Sequence, residues 1–326
     1  MDAFSEVLGS VSMTGAIFLD AEFTAPWGVR IPHACRVAEL LAPGVEHIVS
    51  YHLVLGGDMS VYDEDGDETR VTAGEIVIMP YGDAHRLASG APKDFVDSRL
   101  ALRRFRRGDV VRFRYGGGGE PTHVICGFLA CRQRATRLFL AGLPPIMRAP
   151  VRGDPTGNWI ERSVCHLTAE SDSQRPGRAA LLSKMAEALF IEGLRRYMSA
   201  MPGGGKGWLA GARDPLVGRA LALLHREPAR RWSAEDLAQS VGSSRSVMAD
   251  RFLDTLGESP MAYLARWRLH LAARSLETTQ AAQLSLIQIA SDVGYESQAA
   301  FTRAFKKEFD VPPAKYRRRQ QSRHGV

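Results

Sequence analysis

The chain has 326 residues, with 45% hydrophobic and 24% charged side chains and a formal net charge of +6, a composition that fits two ordinary globular domains and excludes a low-complexity or disordered chain. Its longest apolar runs, such as Ile76 to Met79, fall far short of the roughly 20 residues a membrane helix requires, so no membrane partner is expected. Four cysteines (Cys35, Cys126, Cys131 and Cys165) without CxxC spacing argue against a disulfide framework.

The first residues, Met1-Asp2-Ala3-Phe4-Ser5-Glu6, place no basic segment before an apolar one, so a secretory signal is not expected and the cytoplasm is the expected location. From Phe23 to about Cys131 the texture is β. Short apolar or alternating runs recur at Tyr51–Leu55, Met59–Tyr62, Glu75–Met79, Val110–Tyr115 and His123–Cys126, separated by Gly- and Asp-rich turns. Regular short strands of this kind predict a barrel or double-sheet jelly roll over about residues 20–131. Arg178 to Met198 reads as a helix with more than one apolar stripe (Leu181, Leu182, Met185, Ala188, Leu189, Ile191, Leu194, Tyr197). Such a helix needs two partners: its own barrel and either another element or a second subunit in a homodimer. Residues 201–213, opening on Met201-Pro202-Gly203-Gly204-Gly205, read as a linker, and Asp214-Pro215 as the start of the next helix.

From Asp214 onward there are 17 Lys/Arg against 12 Asp/Glu, which places nearly all of the positive excess in the C-terminal third, as binding to a polyanion requires. Two helix–turn–helix patterns lie there, about 50 residues apart. In the first, Ser233 and Asp236 cap a helix carrying Leu237, Ala238 and Val241, Gly242-Ser243-Ser244 forms the turn, and Arg245 to Leu256 is the recognition helix. Val247, Met248, Phe252, Leu253 and Leu256 are its expected buried set. In the second, Leu286, Ile287, Ile289, Ala290 and Val293 give the apolar face and Gly294 the C-cap. Ser297 then caps a helix that buries Ala300, Phe301, Ala304, Phe305 and Phe309. Outward lie Gln298, Thr302, Arg303, Lys306 and Lys307, side chains able to bond base edges or phosphates. Met261 to Leu276 forms a joining helix bearing Arg266, Arg268, His270 and Arg274, and Pro312-Pro313 stops the segment before the basic exit at Lys315, Arg317, Arg318 and Arg319.

The run Ile289-Ala290-Ser291-Asp292-Val293-Gly294-Tyr295-Glu296-Ser297, with the aromatic-spaced helix and the Pro-x-x-Tyr-Arg ending that follow, resembles the C-terminal signature of AraC/XylS transcription regulators. Residues 232–276 resemble that family's first helix–turn–helix and joining helix. The resemblance implies that Arg245, Ser246, Ala249, Asp250, Gln298, Ala299, Thr302, Arg303, Lys306 and Lys307 form the DNA-contacting set on a double-stranded operator. It also implies an RNA polymerase partner and an activator role. Asp250 fits such a surface only as an acceptor from cytosine or an arginine partner. Glu277 to Gln283 is about three residues longer than the usual family connection.

In the first half, Gly74, Pro80, Gly82 and His85 match the second sequence motif of the cupin superfamily, with Ser89 in place of its terminal Asn. The first motif is broken: Tyr51-His52 replaces paired histidines and no glutamate follows. The resemblance therefore implies a cupin-like sensing and oligomerisation domain at 1–200 and a DNA-binding domain at 214–320, a two-domain α+β architecture. His52 and His85 are the candidates to face a small-molecule effector. His52, His85, His123, Cys126 and Cys131 could alternatively form an altered site, and mixed His/Cys ligands would favour zinc. Cys126 or Cys131 could also act as a thiol sensor. No catalytic residues are assigned, since Ser-His-Asp logic finds nothing and the glycine run at 116–119 lacks the Lys-Ser/Thr of a phosphate loop. The rival readings are a cupin metalloenzyme fused to a DNA-binding domain and a DNA-binding structural protein without a switch.

Overall fold

The computed structural model describes residues 2–10, 13–45, 47–103, 105, 109–131, 140, 143–169, 176–202, 204–277 and 284–324. The lengthened connection at 278–283 lies outside the described residues. The chain divides into two compact units, one of Met13–Arg132 and Leu143–Met201, the other of Met1–Ser12, Gln133–Gly142 and Pro202–Val326. Among the described residues, no helix is long and apolar enough to cross a membrane.

The first unit is a double sheet. Eleven strands are described: β1 Met13–Thr24, β2 Trp27–Ile31, β3 His47–Gly56, β4 Asp58–Tyr62, β5 Glu68–Thr72, β6 Glu75–Met79, β7 His85–Ser89, β8 Val96–Asp97, β9 Val111–Gly116, β10 Pro121–Cys131 and β11 Met147–Pro150. One sheet runs β11-β6-β3-β10-β1-β9, the other β5-β4-β7-β2-β8. The pleat explains the core. On β1, Leu19, Ala21 and Phe23 turn inward with Val124, Cys126 and Phe128 of β10, and meet Val29, Met59, Val61 and Leu87 of the facing sheet. Asp20 and Glu22 take the outer side.

The barrel is larger than expected from 20–131. It starts at Met13 and gains an edge strand at Met147–Pro150, which pairs with β6. Both extensions lie against the helix Arg178–Ala200. Burial there lies on two faces rather than one, so β1 shows a weak alternation over its first half. Gly15 sits where a Cβ would come within 2.6 Å of Ala186, which fixes how closely that helix approaches β1. The helix buries Leu182, Met185, Ala186, Leu189 and Phe190. It packs on the sheet and on the helix Pro155–Ala169, which covers the stripe of Leu182, Met185, Leu189 and Leu194, while Leu181 stands 49% exposed and Ala188, Ile191 and Tyr197 are half-buried.

The second unit is helical. The N-terminal helix Ala3–Ser10, placed by sequence with the barrel, packs instead on Val217–Arg226, with Ala3, Phe4 and Val7 buried. The expected linker 201–213 holds a helix, Trp208–Arg213, whose Trp208 and Leu209 are buried. Trp208 Nε1 donates to Tyr263 Oη (2.9 Å), and Phe4 lies against its ring. Asp214 caps the next helix by accepting from the amides of Leu216 and Val217, both at 2.9 Å. Pro312-Pro313 opens rather than merely stops a segment: Pro313 begins the helix Pro313–His324, where its missing N–H costs nothing.

Candidate functional site

The helical unit repeats one local design twice. Ser233 accepts from the Asp236 amide in a capping box, and Ser285 accepts from the Gln288 amide. After each short helix (Ala234–Ser240 and Leu286–Asp292) a glycine takes positive φ, Gly242 at 71° and Gly294 at 86°. The next amide then reaches back to a carbonyl five residues earlier: Ser243 to Ala238 and Tyr295 to Ala290. Ser244 and Ser297 cap the recognition helices Arg245–Leu256 and Gln298–Phe309 through the amides of Val247 and Ala300. The second recognition helix is held by Phe301, Phe305 and Phe309 at successive turns, packed with Tyr316.

That anchoring leaves Gln298, Ala299, Arg303, Lys306 and Lys307 exposed and Thr302 half-buried. Arg303, Lys306 and Lys307 make no ion pair among the described residues, so all three cations are available to an anion. On the first recognition helix Arg245, Ser246 and Asp250 are exposed and Ala249 is half-buried. Arg245 lies 3.5 Å from Glu235. Three assignments of the buried set fail here. Val247, Leu253 and Ile287 stand 53–64% exposed, because each short helix packs along one stripe and these residues lie off it. Leu253 shares the outward side with Ala249 and Asp250, so it joins the candidate surface. The joining helix, Pro260–Glu277, uses its basic residues internally: Arg266 pairs with Glu258, His270 with Glu308, and Arg268 donates to the carbonyls of Pro228, Arg230 and Gly294.

In the barrel, Gly82 creates the turn that brings His85 inward. Its φ is 66°, and a Cβ there would lie 2.4 Å from the Ile48 carbonyl oxygen. His85 then meets His52 on β3 and, through it, Cys126 on β10. The distances are His85 Nδ1 to Asp83 O 2.9 Å, His85 Nε2 to His52 Nε2 2.9 Å, and His52 Nδ1 to Cys126 Sγ 3.0 Å. Burial holds His85 down at about 4, and burial followed by the neighbouring His85 holds His52 well below its usual value, so both rings are neutral. The protons are then placed by elimination. A carbonyl only accepts, so His85 Nδ1 donates to Asp83, His85 Nε2 accepts from His52, and His52 Nδ1 accepts from the Cys126 thiol. Burial pushes both the Cys126 and Cys131 thiols up, Cys131 to about 12. Neither is a poised nucleophile.

The five metal candidates are not brought together. Cys126 and His85 contact opposite edges of the His52 ring, so one ion cannot touch all three. His123 and Cys131 have the other parity on β10: His123 points to the outer side and bonds Asp20 at 2.6 Å, whose carboxylate raises its pKa. Among the described residues, no group of three or more His, Cys, Asp or Glu side chains is arranged to hold a metal ion. His52 and Cys126 instead line a cavity of about 60 Å³ inside the double sheet, closed in part by the short segments Ala34–Arg36 and Ala38–Leu41. A second cavity, about 140 Å³, lies between the sheet and the helix Arg178–Ala200; Leu41 and Phe128 line both. The cavities escaped the sequence reading because their apolar walls look like ordinary core; only the inward parity of Cys126 and Phe128 hints at them.

The chain thus combines a double-sheet unit that encloses a cavity with a helical unit that carries two helix–turn–helix repeats, the architecture of a cupin-type domain joined to a helix–turn–helix domain. The comparisons agree. The Cupin family profile matches residues 2–199 and the Helix-turn-helix domain profile residues 237–319. The chain belongs to the Cupin family, carries a C-terminal Helix-turn-helix domain, and is similar to relatives named as AraC-like transcription regulators. An AraC-like transcription regulator of Streptomyces lividans is 38% identical over 62% of this chain, which spans 65% of that relative's length. The HTH-type transcriptional regulator AlkR of Acinetobacter baylyi is 28% identical over 97% of this chain and 99% of its own. The RCS-specific HTH-type transcriptional activator RclR of Escherichia coli is 29% identical over 98% of both.

Proposed function

We propose that this chain is a sequence-specific transcription regulator of the cytoplasm, whose helical unit reads an operator and whose cupin unit holds a small effector. The observation that carries it is the repeated, fully capped helix–turn–helix, with the second recognition helix presenting three exposed cations, without ion-pair partners among the described residues, beside Gln298 and Thr302. Arg303 matches guanine and Gln298 matches adenine by donor and acceptor geometry. Dimerisation and contact with RNA polymerase belong to the same reading through family membership. The effector cavity is favoured over a metal centre because His52, His85 and Cys126 bond one another in a row while His123 and Cys131 lie apart from them with other partners. An effector acts here by binding one conformation of the regulator better than another.

The test is selection of DNA from a random pool by the full-length protein, followed by competition with random duplex at fixed salt. A consensus bound at least 10³-fold more tightly than random DNA is the expected result. Equal binding to both would make the protein a structural DNA coat and overturn the proposal.

A further inference from the structure

We infer that the cavity of the cupin unit takes a small, uncharged, mainly hydrocarbon molecule with at most one weak polar group. The inference rests on the effector reading above and names the chemistry of the ligand.

Its described wall is formed by side chains such as Phe23, Val29, Ile31, Leu87, Leu102 and Phe128, and among the described residues no Asp, Glu, Lys or Arg contributes to it. A carboxylate or ammonium group placed there would meet no counter-charge from the described wall, and burying an ion without a partner is strongly unfavourable. The polar groups on the wall are His52, Cys126, Ser50 and Ser98. His52 has both ring nitrogens occupied, one by the Cys126 thiol and one by His85. The thiol proton is committed to His52 in turn. A strongly hydrogen-bonding ligand would have to break this chain, leaving buried donors or acceptors unpaired at a cost to binding. Only the serine hydroxyls remain to greet a single weak polar group. At about 60 Å³ the space is under half of the roughly 150 Å³ that takes benzene, so an aromatic ring enters only where the wall yields toward the neighbouring cavity of about 140 Å³, with which it shares Leu41 and Phe128. A dry apolar cavity of this kind gains by filling, because its lining atoms lack partners on one side.

The experiment uses full-length protein and a matched series: toluene, benzoate and benzylammonium, followed by titration calorimetry and by the imidazole N–H resonance of His52. Toluene is expected to bind and to shift that resonance, with benzoate and benzylammonium at least 100-fold weaker. Val29→Phe, which fills the cavity, should abolish toluene binding. If that variant fails to fold, Leu102→Phe serves the same purpose. Three results overturn the inference: no toluene binding, benzoate or benzylammonium binding as well as toluene, or toluene binding that survives a folded cavity-filling variant. Operator affinity measured with and without toluene separates the two layers. Toluene bound in the cavity with operator affinity unchanged would support the cavity chemistry while removing the effector role.

Discussion

Arg268 gives the sharpest test of how the helical unit is built. A basic residue on the helix joining two DNA readers invites assignment to a phosphate, yet its guanidinium is spent on three backbone carbonyls: Pro228 O and Arg230 O at 2.7 Å and Gly294 O at 3.3 Å. The fork thereby ties the loop before the first helix–turn–helix to the turn of the second. Arg268→Ala removes all three donors, and the residue is about half-buried, so the carbonyls regain water only in part. Hydrogen bonds to a charged group contribute about 1.5–3 kcal/mol each in buried settings; allowing for the exposure and for the long third bond, the loss is about 2–3 kcal/mol. For a helical unit of this size that lowers the thermal midpoint by roughly 8–15 °C. Differential scanning calorimetry of the full chain measures it, and Arg268→Lys should recover less than half, since an ammonium cannot span the three acceptors. DNA binding supplies the opposing outcome. A phosphate contact would leave the melting unchanged and reduce the salt slope of binding by about 0.9. That pair of results would refute the structural role.

Four further outcomes follow from the same geometry. Arg303→Ala should weaken operator binding by about 1–3 kcal/mol and relax preference at one base pair, measured by competition binding to single-base operator variants; an equal loss on all sequences would make it a phosphate contact. Gly294→Ala should destabilise the helical unit by about 1–2 kcal/mol in denaturant melts, because its φ of 86° disfavours a Cβ that would also lie 2.8 Å from the Ala229 carbonyl oxygen. Native alkylation with iodoacetamide at neutral pH, mapped by mass spectrometry, should label the exposed Cys35 and spare the buried Cys126 and Cys131 until the protein unfolds; rapid labelling of Cys126 would restore the thiol-sensor reading. Stability of the cupin unit should fall with acid. His85 is depressed to about 4 in the fold against about 6.5 unfolded, so the unfolded chain binds more protons between those values. The contribution is complete above about pH 6.5 and is lost as pH falls toward 4, and His85→Gln should flatten calorimetric melts across that window.

What could be read from the sequence was the local grammar. Ser233, Ser297, Gly242 and Gly294 announce caps and turns through their own chemistry, and each performs the expected role. Burial was less legible, because apolar periodicity says that a helix has a face without saying which neighbours exist to cover it. Val247, Leu253 and Ile287 were therefore counted into cores they do not enter. Long-range pairing was not legible at all. Nothing local distinguishes Phe4 as a residue that packs against Trp208, and nothing near Met147 marks it as the partner of Ile78. The His52–His85–Cys126 chain sits between these cases: the cupin motif pointed to His85, while the partners came from strand order and pleat parity.

The two recognition helices share a frame but not an electrostatic character, and this bears on how the protein binds DNA. The second presents Arg303, Lys306 and Lys307 without ion-pair partners among the described residues, and Lys315, Arg318 and Arg319 are exposed on the helix that follows. On the first, Asp250 and Asp254 are exposed, Arg245 lies 3.5 Å from Glu235, and Arg251 is held by Asp214 at 2.8 Å. Counterion release, the sequence-independent part of affinity, must therefore come mainly from the second unit. Under the proposed DNA-reading function the first unit would add little attraction and contribute through fit: Ala249 and Leu253 would offer methyl groups to thymine, and Asp250 would accept from a cytosine amino group or be repelled. Such a surface would discriminate by what it penalises, since a wrong base would leave Asp250, which makes no ion pair among the described residues, facing an acceptor. Asp250→Ala should accordingly raise affinity for random duplex while lowering the operator-to-random ratio, measured by competition at fixed salt. A variant that loses affinity equally on both would show that Asp250 is held in an ion pair instead and reads no base.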